Sequence, residues 1–457
     1  MRRIAIVGAG QAGLLAAHAL RQHGYDVTLY SDRTPDDFLS NARPTGTAAR
    51  FDSSLAFERE LGLERWGEGA PRGEGIHLTF GPNNRNQLLT LLGRFQRYFL
   101  AIDVRLQSAT WMRDLDASNA TVEIRQLDVA GLEDVAARHD LTIVAAGRGE
   151  IMKLFPRDSA RSRYTKPQRI LAMVNVTGIP MTFGYAPWYR PVKFNFFATQ
   201  GEAFWVPWFS KGLQQSWSLV FEAKEGSPLD RFRECRDVEE ALARAKEVMR
   251  EMTPWDYDWV RGAEPCDEHA WLTGSFTPEV REVVGTLPSG RTVMALGDTA
   301  QSLDPIGGQG ANNGNKMARV FVESIVERGE QPFDADWMRA TFDRFWARHH
   351  LIDAFNNTLL EPVTKAGQLM LIAQYGSTAR PDDHSPEERL ADMFTENFND
   401  ATVLTEAFHD ERKARAVVSD VFGSVSGPLM RGRARIVKGQ VRQRLGRPAK
   451  LVGMPGG

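Results

Sequence analysis

Two patterns of apolar and polar positions take turns along the chain. The first is a short unbroken apolar run, Ile4-Ala5-Ile6-Val7, followed by a glycine turn and an Ala/Leu-rich helical stretch through about His23. A second strand follows at Tyr25-Asp26-Val27-Thr28-Leu29-Tyr30 and ends at Ser31-Asp32-Arg33. Unbroken apolar runs of this length predict strands buried on both faces, as in a parallel sheet covered by helices. The same pattern returns at Leu141 to Ala146, ending at Gly147, and at Val293 to Leu296, ending at Gly297-Asp298. From about 165 to 290 the pattern changes to period-two alternation rich in rings, as in Lys193 to Phe197, Phe204 to Phe209 and Trp217 to Phe221. That alternation predicts an antiparallel sheet. Beyond about 335 the pattern is helical.

The first turn reads Gly8-Ala9-Gly10-Gln11-Ala12-Gly13 between a strand and a helix, the setting of a dinucleotide fingerprint. Gly8 permits the tight turn, Gly10 lets the backbone approach a pyrophosphate, and Gly13 lets helix and strand pack closely. The phosphates then rest on a helix start, where unpaired N–H groups and the positive end of the dipole favour an anion. Late in the chain Gly297-Asp298 is followed by Asp304-Pro305-Ile306-Gly307-Gly308-Gln309-Gly310-Ala311-Asn312. An acid at a strand end suits a ribityl hydroxyl, and the N–H groups opening the next helix suit the electron-rich edge of an isoalloxazine. The pair of motifs therefore predicts FAD. Arg43, beside the loop Pro44 to Ala49, is a candidate flavin or phosphate contact or a surface cation, and Arg105 is a candidate fork for the pyrophosphate or a partner in an intrahelical salt bridge.

At 457 residues the chain exceeds one ordinary core, and a net charge of −2 with pI near 6.5 argues against nucleic acid. Only Cys235 and Cys266 occur, far apart and outside any Cys/His cluster. A disulfide framework, a metal site and a redox dithiol are thereby excluded, and both are expected to be buried structural thiols. The first strand leaves no room for a leader and no apolar run reaches membrane-span length, which predicts a cytoplasmic protein. The run from Arg431 to Arg447 is basic and acid-free, a solvated helix or tail unless it docks on a partner or an anionic surface.

Only one dinucleotide fingerprint is present, with no nucleophile triad or paired carboxylates, so the chemistry falls to the cofactor. The predicted fold is α/β, an FAD-binding Rossmann-like domain of the glutathione reductase type with an interleaved antiparallel-sheet substrate domain and C-terminal helices. The FAD-binding domain takes residues 1–75, 99–165 and 291–335. Residues 76–98 make an excursion into the substrate domain, which otherwise takes 166–290, and 336–457 form the helical region with the basic tail.

The layout resembles the FAD monooxygenases that share the para-hydroxybenzoate hydroxylase fold, and within them the styrene and indole monooxygenases. The resemblance spans roughly residues 1 to 400. It rests on Gly8 to Gly13, Val27 to Arg33, Ala101 to Leu106, Lys166-Pro167-Gln168-Arg169, Gly297-Asp298, Asp304 to Asn312 and Asn397-Phe398-Asn399. It implies the oxygenase of a two-component system: an NAD(P)H-dependent reductase supplies reduced FAD by diffusion, and O2 gives a C4a-(hydro)peroxyflavin. One oxygen atom then passes to an alkene, indole or sulfide. By the resemblance Pro305, Ile306 and Gly307 lie beside the flavin ring, Asp298 contacts the ribityl chain and Asn312 helps hold the pyrimidine end. Gly46 stands where styrene monooxygenases have a flavin-adjacent Asn, and Ser31 or Asp32 takes the ribose contact that many FAD proteins give to Glu. The implied partners are a small apolar aromatic substrate, the reductase and a second copy of the chain. The rival readings are a single-component NAD(P)H-dependent aromatic hydroxylase, a halogenase, whose Trp-x-Trp-x-Ile-Pro signature is absent, and a non-catalytic FAD-binding module.

Overall fold

In a computed structural model describing residues 1–146, 149–185 and 188–455, the chain divides into two compact units, each assembled from three segments. The first unit takes 1–66, 102–167 and 276–353, and the second takes 67–101, 168–275 and 354–457.

The first unit is built on a sheet whose strands run in the order Val284–Thr286, Thr292–Ala295, Leu141–Val144, Arg3–Val7, Asp26–Ser31, Thr121–Ile124. All neighbours are parallel except the first pair. Ile4, Ala5, Ile6 and Val7 are all buried, as the unbroken apolar run requires when helices cover both faces. The register aligns Val7 with both Tyr30 and Val144, and Val144 with Ala295. The loops after these four strands therefore leave the sheet along one edge, where ligands of open α/β sheets bind. The helices Gln11–Gln22 and Gln309–Arg328 both start at that edge. Arg105 lies in the helix Val104–Ala117, which begins right after Asp103, whose carboxylate caps it by accepting from the Arg105 N–H.

The second unit is built on a mostly antiparallel sheet running Glu264–Pro265, Ile170–Thr177, Gln215–Ala223, Gly201–Phe209, Pro191–Phe197, Gly73–Gly81, Leu89–Ala101, with Trp271–Gly274 also pairing on Ile170–Thr177. A parallel contact joins Gly73–Gly81 to Pro191–Phe197. Alternate residues Val174, Ala203, Trp205, Trp217, Leu219 and Phe221 pack with Val238, Ala241, Ala245 and Val248 of the helix Val238–Met252 in one apolar core. On the opposite face Phe194 stacks on Phe204 at 4.9 Å, and Phe80 on Phe196 at 5.0 Å. Arg169 and Glu202 share that face's border as a buried two-pronged ion pair of 2.6 and 3.0 Å. Residues from 354 onward add helices to this unit, ending in Glu411–Phe422 and Ser426–Arg444. Past the last helix Leu451 and Met454 are buried, and Thr90 donates to the Val452 carbonyl at 2.8 Å. The two cysteines are half-buried rather than buried, and burial still pushes the Cys235 thiol up, as expected of an inert thiol.

Candidate functional site

At the amino-terminal turn the three glycines take three different surroundings. Gly8 has φ of +118°, and a Cβ there would fall on the Ala145 carbonyl at the end of the neighbouring strand. A Cβ on Gly13 would fall on the Gly8 carbonyl, so helix and turn touch through bare backbone. A Cβ on Gly10 would meet nothing within 4 Å. The first two glycines thus serve packing, and the third leaves open the space that a pyrophosphate needs. The helix Gln11–Gln22 has Gly10 as its N-cap and no capping side chain, so its first N–H groups remain for an anion.

The helix Gln309–Arg328 begins in the same way. Gly308 is its N-cap in the left-handed region at φ +61°, without a capping side chain. The short turn Pro305–Gly307 before it is fixed by Asp304, whose carboxylate accepts from the Ile306 N–H at 3.2 Å. A Cβ on Gly308 or Gly310 meets nothing within 4 Å. The two helix starts are brought together by small residues, since the Ala12 Cβ lies 3.1 Å from where Gly297 would carry its own and 3.3 Å from that of Gly314. Open space at Gly10, Gly308 and Gly310, with two uncapped helices in contact through Ala12 and Gly314, fits one extended ligand with a phosphate portion and an electron-rich ring edge, as FAD has.

The sequence-predicted residues divide by exposure. Asp32 and Asp298 are exposed at this edge, Arg43 is exposed in the loop after the helix Pro35–Ser40, and Arg33 pairs with Asp32 at 3.0 Å. Gln11 donates to Glu58 at 3.4 Å, and Ala311 is half-buried in the first turn of its helix. Gly46 has nothing within 4 Å of a Cβ. Pro305 is half-buried while Ile306 and Gly307 are buried.

Four side chains find their partners within the protein. Arg105 is 1% exposed, and its guanidinium donates to both Asp103 oxygens and to the Ala42 carbonyl, so its fork is spent inside the protein. Ser31 is buried, its hydroxyl donating to the Arg33 carbonyl at 2.7 Å, which leaves Asp32 as the exposed member of the two. Asn312 is fully buried and acts as a clamp: its amide donates to the carbonyls of Ala49 and Gly308 at 2.8 Å, and its carbonyl accepts from the Phe51 N–H at 2.9 Å. The Gln309 side chain is buried as well, donating to the Gly307 carbonyl at 3.1 Å. Gly147 lies outside the described residues.

Beneath the turns sits a buried ion pair that sequence reasoning missed. Arg50 donates to Glu58 at 2.6 Å with both side chains fully buried, and Asn315 donates to the same Glu58 oxygen at 3.0 Å. Arg50 also donates to the carbonyl of Ala48, which holds φ of +51°. Burial raises the Glu58 carboxyl above its usual range, and Arg50 pulls it back. Through Gln11, Glu58 and Asn315 the pair ties both glycine-started helices to the loop 46–50.

The second unit encloses its own polar group, also unforeseen. Lys193 is fully buried and donates to Thr79 at 2.6 Å and to Asn195 at 3.4 Å, with the Met454 sulfur at 3.7 Å. Asp256, equally buried, accepts from Tyr185 and from the Trp205 indole at 2.8 Å. Burial pushes the Lys193 ammonium down to about 8 and raises Asp256 against the pull of Lys193. His77 is buried beside them with neither ring nitrogen hydrogen-bonded, and burial together with Lys193 keeps it neutral. The only signal was that Lys193, Asn195, His77 and Thr79 hold one phase of their strands.

Comparison with known proteins adds five findings. Residues 147–259 match the family described as "Styrene monooxygenase A putative substrate binding domain", and residues 6–35 match an NAD(P)-binding Rossmann-like domain. The chain is 28% identical to styrene monooxygenase StyA of Pseudomonas fluorescens over 411 residues, covering 87% of this chain and 93% of that one. To the StyA of a Pseudomonas species it is 29% identical over 414 residues with the same coverage. Among solved structures, the flavin-dependent brominase Bmp2 superposes with a TM-score of 0.59 at 13% identity, over 92% of this chain and 98% of that one, a likeness of fold alone.

Proposed function

From a chain that is styrene monooxygenase-like over most of its length, we propose an FAD-dependent monooxygenase, the oxygenase component of a two-component system acting on an apolar aromatic or alkene substrate. The observation that carries this reading is the meeting of two glycine-started, uncapped helices at one sheet edge. A reductase supplies the reduced cofactor. Reduced FAD, when bound, supplies the two electrons that activate O2.

The chain's own residues have the following parts in this reading. The N–H groups after Gly10 hold the pyrophosphate, Asp32 the ribose and Asp298 the ribityl chain. The N–H groups from Gln309 to Ala311 hold the pyrimidine edge. Pro305, Ile306 and Gly307 form the wall beside the ring and keep water from it. Arg43 and Gly46 border the same loop. The aromatic strands of the second unit supply the apolar surface that positions the substrate. The overall change consumes substrate, O2, two electrons and two protons and yields oxygenated product and one water.

The test is turnover of styrene, indole and an aryl sulfide under 18O2 with chemically reduced FAD and no NAD(P)H. One labelled oxygen atom in an epoxide or sulfoxide is the expected result. Oxidation of NAD(P)H by the purified protein without a reductase would overturn the two-component reading.

A further inference from the structure

The helix Ser426–Arg444 carries the basic run that the oxygenase reading leaves unused. Nine large apolar side chains stand exposed among the described residues, and four of them lie on this helix or at its C-cap: Met430 at 70%, Val437 at 57%, Val441 at 50% and Leu445 at 68%. With exposed Ala434 they follow one another at intervals of four, three, four and four residues. At about 100° per residue this places all five within a stripe roughly 80° wide. The opposite side is fixed to the protein, for a Cβ on Gly432 would fall on the Ile372 carbonyl, and Arg435 donates to the Tyr375 carbonyl. Arg433 and Arg444 border the stripe on one side and Lys438 on the other, all exposed. No Asp or Glu occurs from 421 to 457.

We propose that this stripe is the docking surface for the flavin reductase, which meets it with a helix whose apolar seam is bordered by Asp and Glu. The inference rests on the two-component reading above. Intervals of three and four are those of a helix-to-helix seam, whose flanking charges choose the partner. A second copy of this chain would set Arg433, Arg444 and Lys438 against their own like in a two-fold contact. Helices that lie in a lipid interface present broad faces with Trp, Phe and Leu, whereas this stripe is narrow and has no aromatic ring. An acidic partner is drawn in by charge and seated by the apolar seam, which suits an encounter that must be brief enough to repeat each turnover.

The experiment uses the full-length enzyme and the purified NADH-dependent FAD reductase component. Binding is read by fluorescence anisotropy of labelled reductase, without substrate, at low and high salt. Two variants are compared with the parent protein, Val437→Glu with Leu445→Glu, and Arg433→Glu with Arg444→Glu. Both pairs are exposed, so the fold is expected to survive, and circular dichroism checks it. The expected result is that each variant weakens reductase binding about tenfold, that salt weakens the parent's binding, and that turnover with chemically reduced FAD is unchanged. Equal reductase binding by parent and variants would overturn the proposal. So would sedimentation of the parent, but not the variants, with phosphatidylglycerol vesicles, or a parent dimer that both variants split. Product from chemically reduced FAD reports on the oxygenase reading alone, so the two failures are distinguishable.

Discussion

A methyl group has room at Gly10 and none at Gly8, so the same substitution fails in two ways. Gly8→Ala forces a side chain onto the Ala145 carbonyl at a positive φ and is expected to destabilise the ligand-free protein by about 1–3 kcal/mol. Gly10→Ala is expected to leave the ligand-free melting temperature within a degree or two and to weaken FAD binding about tenfold, about 1.4 kcal/mol. Melting curves and flavin fluorescence titrations separate the two, and equal loss of stability in both would sink the distinction. The buried pair gives a second expectation. Glu58→Ala strands the Arg50 guanidinium and is expected to cost about 3–5 kcal/mol by urea unfolding, while Glu58→Leu with Arg50→Met recovers most of it. The glycine spacing was legible because it follows from backbone geometry alone. The fate of Asn312 was not, because a side chain's choice between ligand and protein can depend on a neighbour far away in sequence, here Ala49.

Among the described residues, eight helices take a side-chain cap, from Thr34, Asp103, Asp128, Asp237, Asp334, Thr364, Ser385 and Asp410. The two at the ligand edge of the first unit begin on bare glycine. Gly10 holds φ −77° and ψ 173°, a conformation in which an Asp caps well. Gly10→Asp is therefore expected to stabilise the ligand-free protein by a few tenths of a kcal/mol and to abolish FAD binding, since the carboxylate takes the place of the phosphate. A variant that still retains FAD on gel filtration would refute the placement of the pyrophosphate. The sheets show where pattern stops being informative. Unbroken apolar runs identified the parallel strands, and alternation identified the antiparallel ones. Alternation separates the two faces of Pro191–Phe197 without saying which is wet. The fold buries Lys193 and Asn195 beside Asp256 of the helix Pro254–Val260.

At the scale of the whole molecule, stability carries a pH dependence from Glu388. Its carboxylate is buried, accepts from the N–H groups of Thr378 and Ala379 at 2.9 Å, and is pushed up to about 7 by burial and by the nearby Asp392 against those hydrogen bonds. A carboxyl whose folded value exceeds its unfolded one of about 4.5 contributes stability that is complete below 4.5 and is lost as pH rises through 7. Urea unfolding of the parent and of Glu388→Gln is expected to converge or cross as pH rises over that interval, the parent losing ground, and to run parallel above it. A parent that gains on the variant would reverse the sign and refute the assignment. The fold class was legible at this scale because each segment announces its own pattern. The chain's return to the second unit after 353 was not, for helices alone do not say which sheet they cover.

The threefold division of each unit has a consequence for how such a protein can change. A genetic exchange with a related gene at any single point within the core of the chain mixes inheritance in both units at once, giving strands from one parent and their facing helices from another. Variation in what the enzyme accepts is therefore expected to accumulate by substitution within the aromatic strands rather than by exchange of whole modules, and a library built by shuffling would need paired crossovers at the segment joints to keep its members folded.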